Sequence, residues 1–182
     1  GDDFPIIYRL SASDGVAGGI TIEEAKAVAI RLEEAGVDLL HVSQGGDFND
    51  MVSPASSMPK ACYIDHAAEI KKVVSIPVIG VGRIQDPFIA EEILRSGKAD
   101  LVTMARASLA DPEFPHKVAE GRYEDINYCI GCLQGCTRGC LVNPMIGHES
   151  DYDLTKTTQP KKVYIAGGGV TGCEAAIAAA QK

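Results

Sequence analysis

The chain has 182 residues, of which 46% are hydrophobic and 23% are charged, as in an ordinary globular protein. Its 17 Lys and Arg against 25 Asp and Glu give a net charge of −8, which argues against a basic face for nucleic acid or an anionic membrane. No apolar run reaches the roughly 18 residues of a membrane span, and no signal-like segment opens the sequence, so we predict a cytoplasmic protein.

Residues 1–120 alternate between strand-like and helix-like patterns. A capping box, with Thr21 as N-cap and Glu24 three residues later, predicts the start of the first helix. Asp86 followed by Pro87 predicts the start of another helix in the same way. The predicted strands are 4–10, 37–42, 76–81 and 100–104, and the predicted helices are 21–36, 64–74, 86–97 and 112–120.

Four strand–helix units in about 120 residues correspond to half of an eight-stranded barrel, which typically takes about 250 residues. We therefore predict an α/β fold in which residues 1–120 form the C-terminal half of a (β/α)8 barrel. A flavodoxin-like sheet is the alternative that periodicity alone leaves open.

Three further segments follow the predicted half-barrel. Residues 121–150 are rich in cysteines and turns, residues 151–161 read as a polar linker, and residues 162–182 begin a strand, a Gly-rich turn and an Ala-rich helix. The last pattern is typical of the first β-turn-α unit of a Rossmann-like dinucleotide domain. We expect the chain to be cut at both ends, inside the barrel before residue 1 and inside the dinucleotide domain after residue 182.

Four of the six cysteines fall within twelve residues, as Cys129-x2-Cys132-x3-Cys136-x3-Cys140. Glycines between them let the backbone turn sharply and point amides at sulfur. Four thiolates on one tight loop favour an iron–sulfur cluster. Structural zinc, which usually takes two separated cysteine pairs, and unligated thiols are the alternatives.

Gly167, Gly169 and Gly172 form a G-x-G-x-x-G pattern between the predicted strand and helix. In such a turn the backbone can approach a pyrophosphate at the helix N-terminus. A Gly-rich turn with no ligand is the alternative.

Two arginines follow the last two predicted strands, in the pairs Gly82-Arg83 and Ala105-Arg106. In a barrel this is where a phosphate site forms, so we predict that they bind phosphate. The alternative is that each arginine pairs with an acid at a helix start, Asp86 or Asp111. Arg9, at the end of the first strand, would face the barrel mouth, where a cationic donor could stabilise negative charge on a reduced flavin; the residues alone leave this role open. No histidine sits in a recognisable nucleophile motif, so no catalytic residue is assigned.

Three motifs occur in order: Ile76-Pro-Val-Ile-Gly-Val-Gly-Arg-Ile-Gln-Asp-Pro, Ala99-Asp-Leu-Val-Thr-Met-Ala-Arg, and Cys129-Ile-Gly-Cys-Leu-Gln-Gly-Cys followed by Cys140-Leu-Val-Asn-Pro. Together they resemble the 2,4-dienoyl-CoA reductase and enoate reductase branch of the old yellow enzyme family, over essentially the whole chain.

The resemblance implies an FMN barrel, a four-iron–four-sulfur loop and a region for FAD and NAD(P)H, with electrons passing from NAD(P)H through FAD and the cluster to FMN and on to an activated C=C bond. By motif, Arg9 matches the arginine at the flavin ring. The positions that match FMN-binding residues are Gly82, Arg83, Ala105 and Arg106. The four clustered cysteines match the cluster ligands, and the three glycines match the FAD pyrophosphate turn.

The sequence departs from the family pattern at two places. Three residues separate Cys136 from Cys140, where the family more often has eleven or twelve. Phe48 lies near the position where the dienoyl-CoA reductases carry a His used in protonation, which moves the expectation toward a broader ene-reductase.

We therefore expect a fragment of an NAD(P)H-dependent flavin and iron–sulfur oxidoreductase. Its substrate would be a small α,β-unsaturated acid, thioester or ketone, and the protein could be a homo-oligomer. A flavin-dependent amine dehydrogenase of the same fold and a non-catalytic cofactor-binding or electron-transfer fragment are the alternatives.

Overall fold

The computed structural model describes residues 3–45, 53–136, 138–151 and 155–182. These divide into two compact units, residues 1–144 and residues 145–182. Among the described residues, no helix has the length and apolar character needed to cross a bilayer.

The first unit is a parallel sheet covered by helices. Its strands are β1 (Ile7–Ser11), β2 (Leu39–Ser43), β3 (Val78–Gly80) and β4 (Leu101–Val102). Its helices are α1 (Ile22–Glu34), α2 (Ile64–Lys71), α3 (Pro87–Arg95), α4 (Ala105–Ala110) and α5 (Phe114–Ala119), followed by a short 3-10 turn, Tyr123–Asp125.

The strands lie side by side in chain order, β1-β2-β3-β4, and every pair is parallel. A flavodoxin-like sheet reverses its strand order at the first strand, whereas a barrel keeps chain order. The order therefore confirms the predicted barrel segment and removes the flavodoxin-like alternative.

The local signals at helix starts are confirmed. Thr21 and Glu24 exchange both capping-box hydrogen bonds at the start of α1. The carboxylate of Asp86 accepts a hydrogen bond of 2.9 Å from the backbone N–H of Phe88 at the start of α3. Gly36, with φ of +89°, follows the end of α1 in a conformation that favours glycine.

One face of the sheet packs against the helices. Leu40, Val42 and Val78 are fully buried there, together with Ala67 and Ile70 of α2. The opposite face carries a row of residues in register across the four strands, namely Arg9, His41, Ile79 and Leu101. This second face corresponds to the interior of a barrel, and it leads to the carboxyl ends of the strands.

Two elements differ from the sequence prediction. The stretch after β4 holds two short helices, α4 and α5, instead of the single helix predicted at 112–120. In the second unit, α6 (Val170–Gln181) is present, but residues 163–166 are not a strand. A strand is defined by its ladder, and no described segment pairs with these residues.

Candidate cofactor site

A cleft opens at the carboxyl ends of the four strands. Its volume is about 440 Å³. The lining includes every residue that the sequence predicted for flavin binding in this unit: Arg9, Gly82, Arg83, Ala105 and Arg106. The topology thus brings together side chains that lie up to 97 positions apart, because parallel strands end at the same edge.

Arg83 lies on a constrained turn after β3. Gly82 has φ of +122° and Arg83 itself has φ of +54°, a left-handed conformation that is uncommon for a residue with a side chain. A Cβ built on Gly82 would lie 2.8 Å from the backbone nitrogen of Tyr63, so only glycine fits there. The turn directs the Arg83 side chain toward the cleft, where its Nη1 donates to the carbonyl oxygen of Met58.

The Nε atom of Arg83 is buried and has no hydrogen-bond partner. Arg106 Nη1 donates to the carbonyl oxygen of Pro54 at 2.8 Å, which leaves that arginine's charge without a carboxylate among its described contacts. A buried donor without an acceptor is costly, so an acceptor of the right charge would be stabilised at this end of the cleft.

The predicted alternative, that the two arginines pair with helix-start acids, is wrong. Asp86 caps α3 and pairs with Lys60 at 3.3 Å. Asp111 is buried and pairs with Lys117 at 2.7 Å. Neither carboxylate contacts an arginine of the cleft, so neither one neutralises a guanidinium charge there.

Arg9 lies in the cleft beside Ser43, whose hydroxyl oxygen accepts from Arg9 Nε at 3.4 Å. His41 is its neighbour across the β1–β2 ladder. Burial, and to a smaller degree the Arg9 charge, lowers the pKa of His41. The imidazole is therefore neutral near pH 7, and Arg9 supplies the positive charge of this part of the sheet.

The four clustered cysteines, Cys129, Cys132, Cys136 and Cys140, line a second, small cavity of about 20 Å³. All of them are free thiols. The remaining side chains of this lining are mostly apolar: Leu109, Ile130, Leu133, Leu141 and Val142. The backbone N–H of Gly131 donates to Cys129 Sγ at 3.4 Å, which is the amide-to-sulfur contact that the interspersed glycines predicted.

No three described Cys, His, Asp or Glu side chains converge on one point where a single metal ion would bind. Zinc needs its four ligands about 2.0–2.3 Å from a common centre, whereas each thiolate of an iron–sulfur cube binds its own iron. Four thiols that line one cavity supply the ligand type that both centres use.

Cys62 lies outside this cavity. Burial raises the pKa of its thiol, and the charges of Arg83 and Arg106 offset only part of that effect. Cys62 is thus a protonated thiol near neutral pH.

In the second unit, the glycine pattern forms the turn before α6. Gly167 has φ of +117° and Gly169 is the N-cap. A Cβ built on Gly172 would lie 2.0 Å from the carbonyl oxygen of Gly167. The helix and the preceding segment are therefore so close that only glycine fits at the third position of the motif.

Sequence reasoning missed several groups of the cleft. Ser43 ends β2 and Gln44 follows it, and Tyr63 and Gln85 also line the cleft. The position after a strand end could have indicated Ser43 and Gln44. Gln44 accepts at Oε1 from the His66 ring at 2.7 Å, a contact across 22 residues that leaves no sequence signal. Phe48, near the expected proton donor, lies outside the described residues.

Comparison with known proteins identifies the class. The profile of the NADH:flavin oxidoreductase / NADH oxidase family matches residues 1–125. The chain belongs to this family, and within it to the enoate and dienoyl-CoA reductase branch of the old yellow enzymes.

Individual relatives agree with this assignment. An NADH oxidase of Thermoanaerobacter brockii is 44% identical over all of this chain and 30% of its own length. A cinnamate reductase of Clostridium sporogenes is 36% identical over 99% of this chain and 30% of its own length. The chain therefore spans about a third of the length of these relatives.

Solved structures share the fold. A 2-naphthoyl-CoA reductase in complex with 2-naphthoyl-CoA superposes with a TM-score of 0.91 at 34% identity, over 98% of this chain and 29% of that one. A histamine dehydrogenase from Rhizobium sp. 4-9 superposes with a TM-score of 0.72 at 31% identity, over 82% of this chain and 22% of that one.

Proposed function

We propose that this chain supplies the flavin-phosphate and iron–sulfur part of an NAD(P)H-dependent oxidoreductase that reduces the C=C bond of an α,β-unsaturated acid, thioester or ketone. The observation that carries the proposal is the adjacency of the two cavities. Arg106, Leu133 and Cys136 line both the cleft and the cysteine cavity. A flavin and a metal centre in these positions would be separated by single side chains.

The cleft residues fit FMN. Arg83 and Arg106 provide forked donors for its phosphate. Gly82 lets the backbone approach, and Arg9 supplies positive charge at the first strand. Bound FMN would supply the hydride chemistry, while the protein orients it and sets the local charge.

The cysteine cavity fits a four-iron–four-sulfur cluster, with Cys129, Cys132, Cys136 and Cys140 as ligands. The Gly131 N–H already donates to one sulfur, and most other side chains that line the cavity are apolar. Such a cluster would supply one-electron transfer. Reduced thiols of this kind are consistent with a cytoplasmic location.

The turn formed by Gly167, Gly169 and Gly172 would hold the pyrophosphate of FAD, next to a region for NAD(P)H. The close approach of Gly172 to Gly167 supports this assignment. We include a homo-oligomeric assembly in the proposal as an expectation from the resemblance alone.

The substrate class rests on the relatives. Cinnamate and 2-naphthoyl-CoA, named for two of them, are an unsaturated acid and an aromatic thioester. The likeness to histamine dehydrogenase favours a second candidate, a flavin-dependent amine dehydrogenase. A cofactor-binding fragment without turnover is the third.

The test uses the complete protein, purified anaerobically and assayed for NADH and NADPH oxidation with cinnamate, crotonyl-CoA or cyclohexenone. Alkene-dependent oxidation of NADH or NADPH, with FMN and about four irons per chain, supports the proposal. Bleaching of the flavin by histamine or dimethylglycine, without any alkene reduction, would support the amine dehydrogenase instead. Stoichiometric zinc in place of iron would contradict the cluster.

A further inference from the structure

One short segment holds both arginines of the phosphate end. We call residues 53–58, between β2 and α2, the clamp segment. Arg106 Nη1 donates to the carbonyl oxygen of Pro54 at 2.8 Å, and Arg83 Nη1 donates to the carbonyl oxygen of Met58. The two guanidinium groups come from different strand ends, so the clamp segment sets their relative orientation.

The clamp segment is itself bonded to the cysteine loop. The backbone N–H of Ser56, midway between those two carbonyls, donates to the carbonyl oxygen of Gly131 at 2.9 Å. The N–H of the same glycine donates to Cys129 Sγ. A single glycine, between the first two cysteines, therefore connects the sulfur of one proposed ligand to the segment that orients both arginines.

Gly131 also packs directly against the phosphate end. It is buried, has φ of +67°, and a Cβ built there would lie 3.2 Å from the nitrogen of Ser56 and 3.3 Å from Arg83 Nε. Less than the room of a methyl group separates Gly131 from the clamp segment and the guanidinium, so a larger shift of this peptide would displace one of them.

We propose that metal loading of the cysteine loop and binding of the flavin phosphate are thermodynamically linked through Gly131 and the clamp segment. The proposal rests on the function proposed above. A cluster bound by Cys129 and Cys132 fixes the peptide between them, which fixes Ser56, and Ser56 fixes the carbonyls that hold the two arginines. FMN then binds to guanidinium groups that are already oriented, so binding costs less conformational entropy. Linkage is reciprocal, so bound FMN stabilises the loaded cluster to the same extent.

The experiment compares FMN affinity with and without the cluster in the complete protein. The flavin is removed first, and half of the sample is stripped of iron anaerobically with a chelator. FMN is then titrated into both samples and followed by quenching of its fluorescence. We expect FMN to bind about tenfold more weakly to the stripped protein, within the usual range of such couplings. Riboflavin has no phosphate, so its affinity should change far less.

Two substitutions of one residue separate the proposed route from a general loosening. Ser56→Pro removes the N–H that donates to Gly131 and should abolish the difference between loaded and stripped protein. Ser56→Ala keeps the N–H and should preserve that difference. Loss of riboflavin binding would show that Ser56→Pro does not fold. Gly131→Ala then takes its place in the experiment. Its matched control is Gly139→Ala, because a Cβ built on Gly139 meets nothing within 4 Å.

Each outcome of these titrations supports or overturns the linkage between cluster and FMN binding. Equal FMN affinities in loaded and stripped protein would overturn the linkage and leave the proposed function intact. Failure of FMN to bind the loaded protein would overturn both. A tenfold difference that persists in Ser56→Pro, or an equal loss for riboflavin, would show that the effect does not pass through the clamp segment.

Discussion

Arg83 has two features that natural proteins seldom combine at a residue without a function. Its backbone is left-handed and its Nε is buried without an acceptor. Arg106 completes the pair from the next strand end and reaches the same clamp segment. The phosphate of FMN, as proposed above, would offset the positive charge that these two arginines concentrate.

We predict that Arg106→Ala weakens FMN binding in the complete protein by about ten- to a hundredfold. The loss corresponds to roughly 1.5–3 kcal/mol for one charge-assisted phosphate contact. Titration of the deflavinated protein measures it. Arg95→Ala, on the exposed side of α3, is the control and should bind FMN normally. Unchanged FMN affinity in Arg106→Ala would contradict the phosphate assignment.

The cysteines give a second prediction at this scale. Replacing any of Cys129, Cys132, Cys136 or Cys140 by Ser should remove most of the iron. The broad absorption band of the cluster at roughly 400 nm should be lost with it. Cys62→Ala should retain both, since burial keeps that thiol protonated and it lies outside the cysteine cavity. Loss of iron in Cys62→Ala would show that the ligand set is wrong.

At the scale of elements, Gly80 determines how closely α2 approaches the end of β3. A Cβ built there would lie 2.3 Å from Ile64 Cδ1 and 3.2 Å from Ala99 Cβ. Gly80→Ala should therefore destabilise the protein by about 1–3 kcal/mol, the usual cost of overpacking. Urea unfolding measures the change.

The severe part of the clash at Gly80 involves Ile64 Cδ1, whereas the contact with Ala99 Cβ is milder, and this difference provides the control. Ile64→Val removes Cδ1, so the double variant Gly80→Ala/Ile64→Val should recover part of the stability lost in Gly80→Ala. Equal or additive losses in the double variant would mean that the backbone, and not the Ile64 side chain, limits the space.

Helices α1 and α2 are tied by Glu69, which contacts Lys26 of α1 at 2.8 Å and Lys72 at the end of its own helix. The hydrogen bonds from Lys26 and Lys72 lower the pKa of Glu69 from 4.5 to about 2. A carboxyl with a depressed pKa in the folded state stabilises the protein above its unfolded pKa, and this contribution disappears as pH falls through the folded value.

We therefore predict that Glu69→Gln is less stable than the parent protein at pH 7, and that the difference narrows as pH falls from about 4.5 toward 2. Urea midpoints of both proteins across this range provide the measurement. Lys26 and Glu69 are only partly buried, so solvent screens the ion pair, and the expected difference is small and should shrink with added salt. A difference that is constant from pH 7 to pH 3 would contradict the assignment to Glu69.

The elements also show what a sequence can predict. The starts of α1 and α3 were predictable because their caps are local: Thr21 with Glu24, and Asp86 with Pro87. Helix α4 was not, since Met104 at its N-cap position makes no side-chain capping bond and its residues continue directly from β4. Strands were predicted longer than they are, because a strand ends where its neighbour stops pairing.

The difference between local signals and long-range contacts also decides which residues of the site were predictable. Arg83 and Arg106 were predictable because each follows a strand, and parallel strands bring their carboxyl ends to one edge. Arg9 was predictable because it lies on the first strand, one residue before the predicted end, although β1 continues to Ser11. The acceptors of the two arginines are backbone carbonyls of Pro54 and Met58, and any residue could provide those. Their position depends on the path of the clamp segment, which contacts residues more than fifty positions away.

At the scale of the whole molecule, the sheet has two open edges. Ile7 of β1 is 60% exposed and Leu101 of β4 is 45% exposed, although both are strand residues of apolar type. In the second unit, Val163 and Val170 are also exposed, and α6 has no buried residue. Exposed apolar strand edges normally pair with further strands, so β1 and β4 both offer surfaces for strand pairing.

This organisation predicts that the 182-residue chain alone does not reduce alkenes. Four strands leave the cleft open on the side where a closed barrel has four more, so water would reach a bound flavin and no complete substrate chamber forms. The measurement supplies the purified chain anaerobically with FMN, FAD, NADH or NADPH, and cinnamate, crotonyl-CoA or cyclohexenone, and follows NAD(P)H consumption. We expect none above background, while the complete protein under the same conditions reduces at least one of these alkenes.

Steady turnover by the chain alone would contradict this prediction. It would mean that copies of the chain pair through their open edges, β1 and β4, into a closed site, and sedimentation of the active species as a dimer would then identify that assembly.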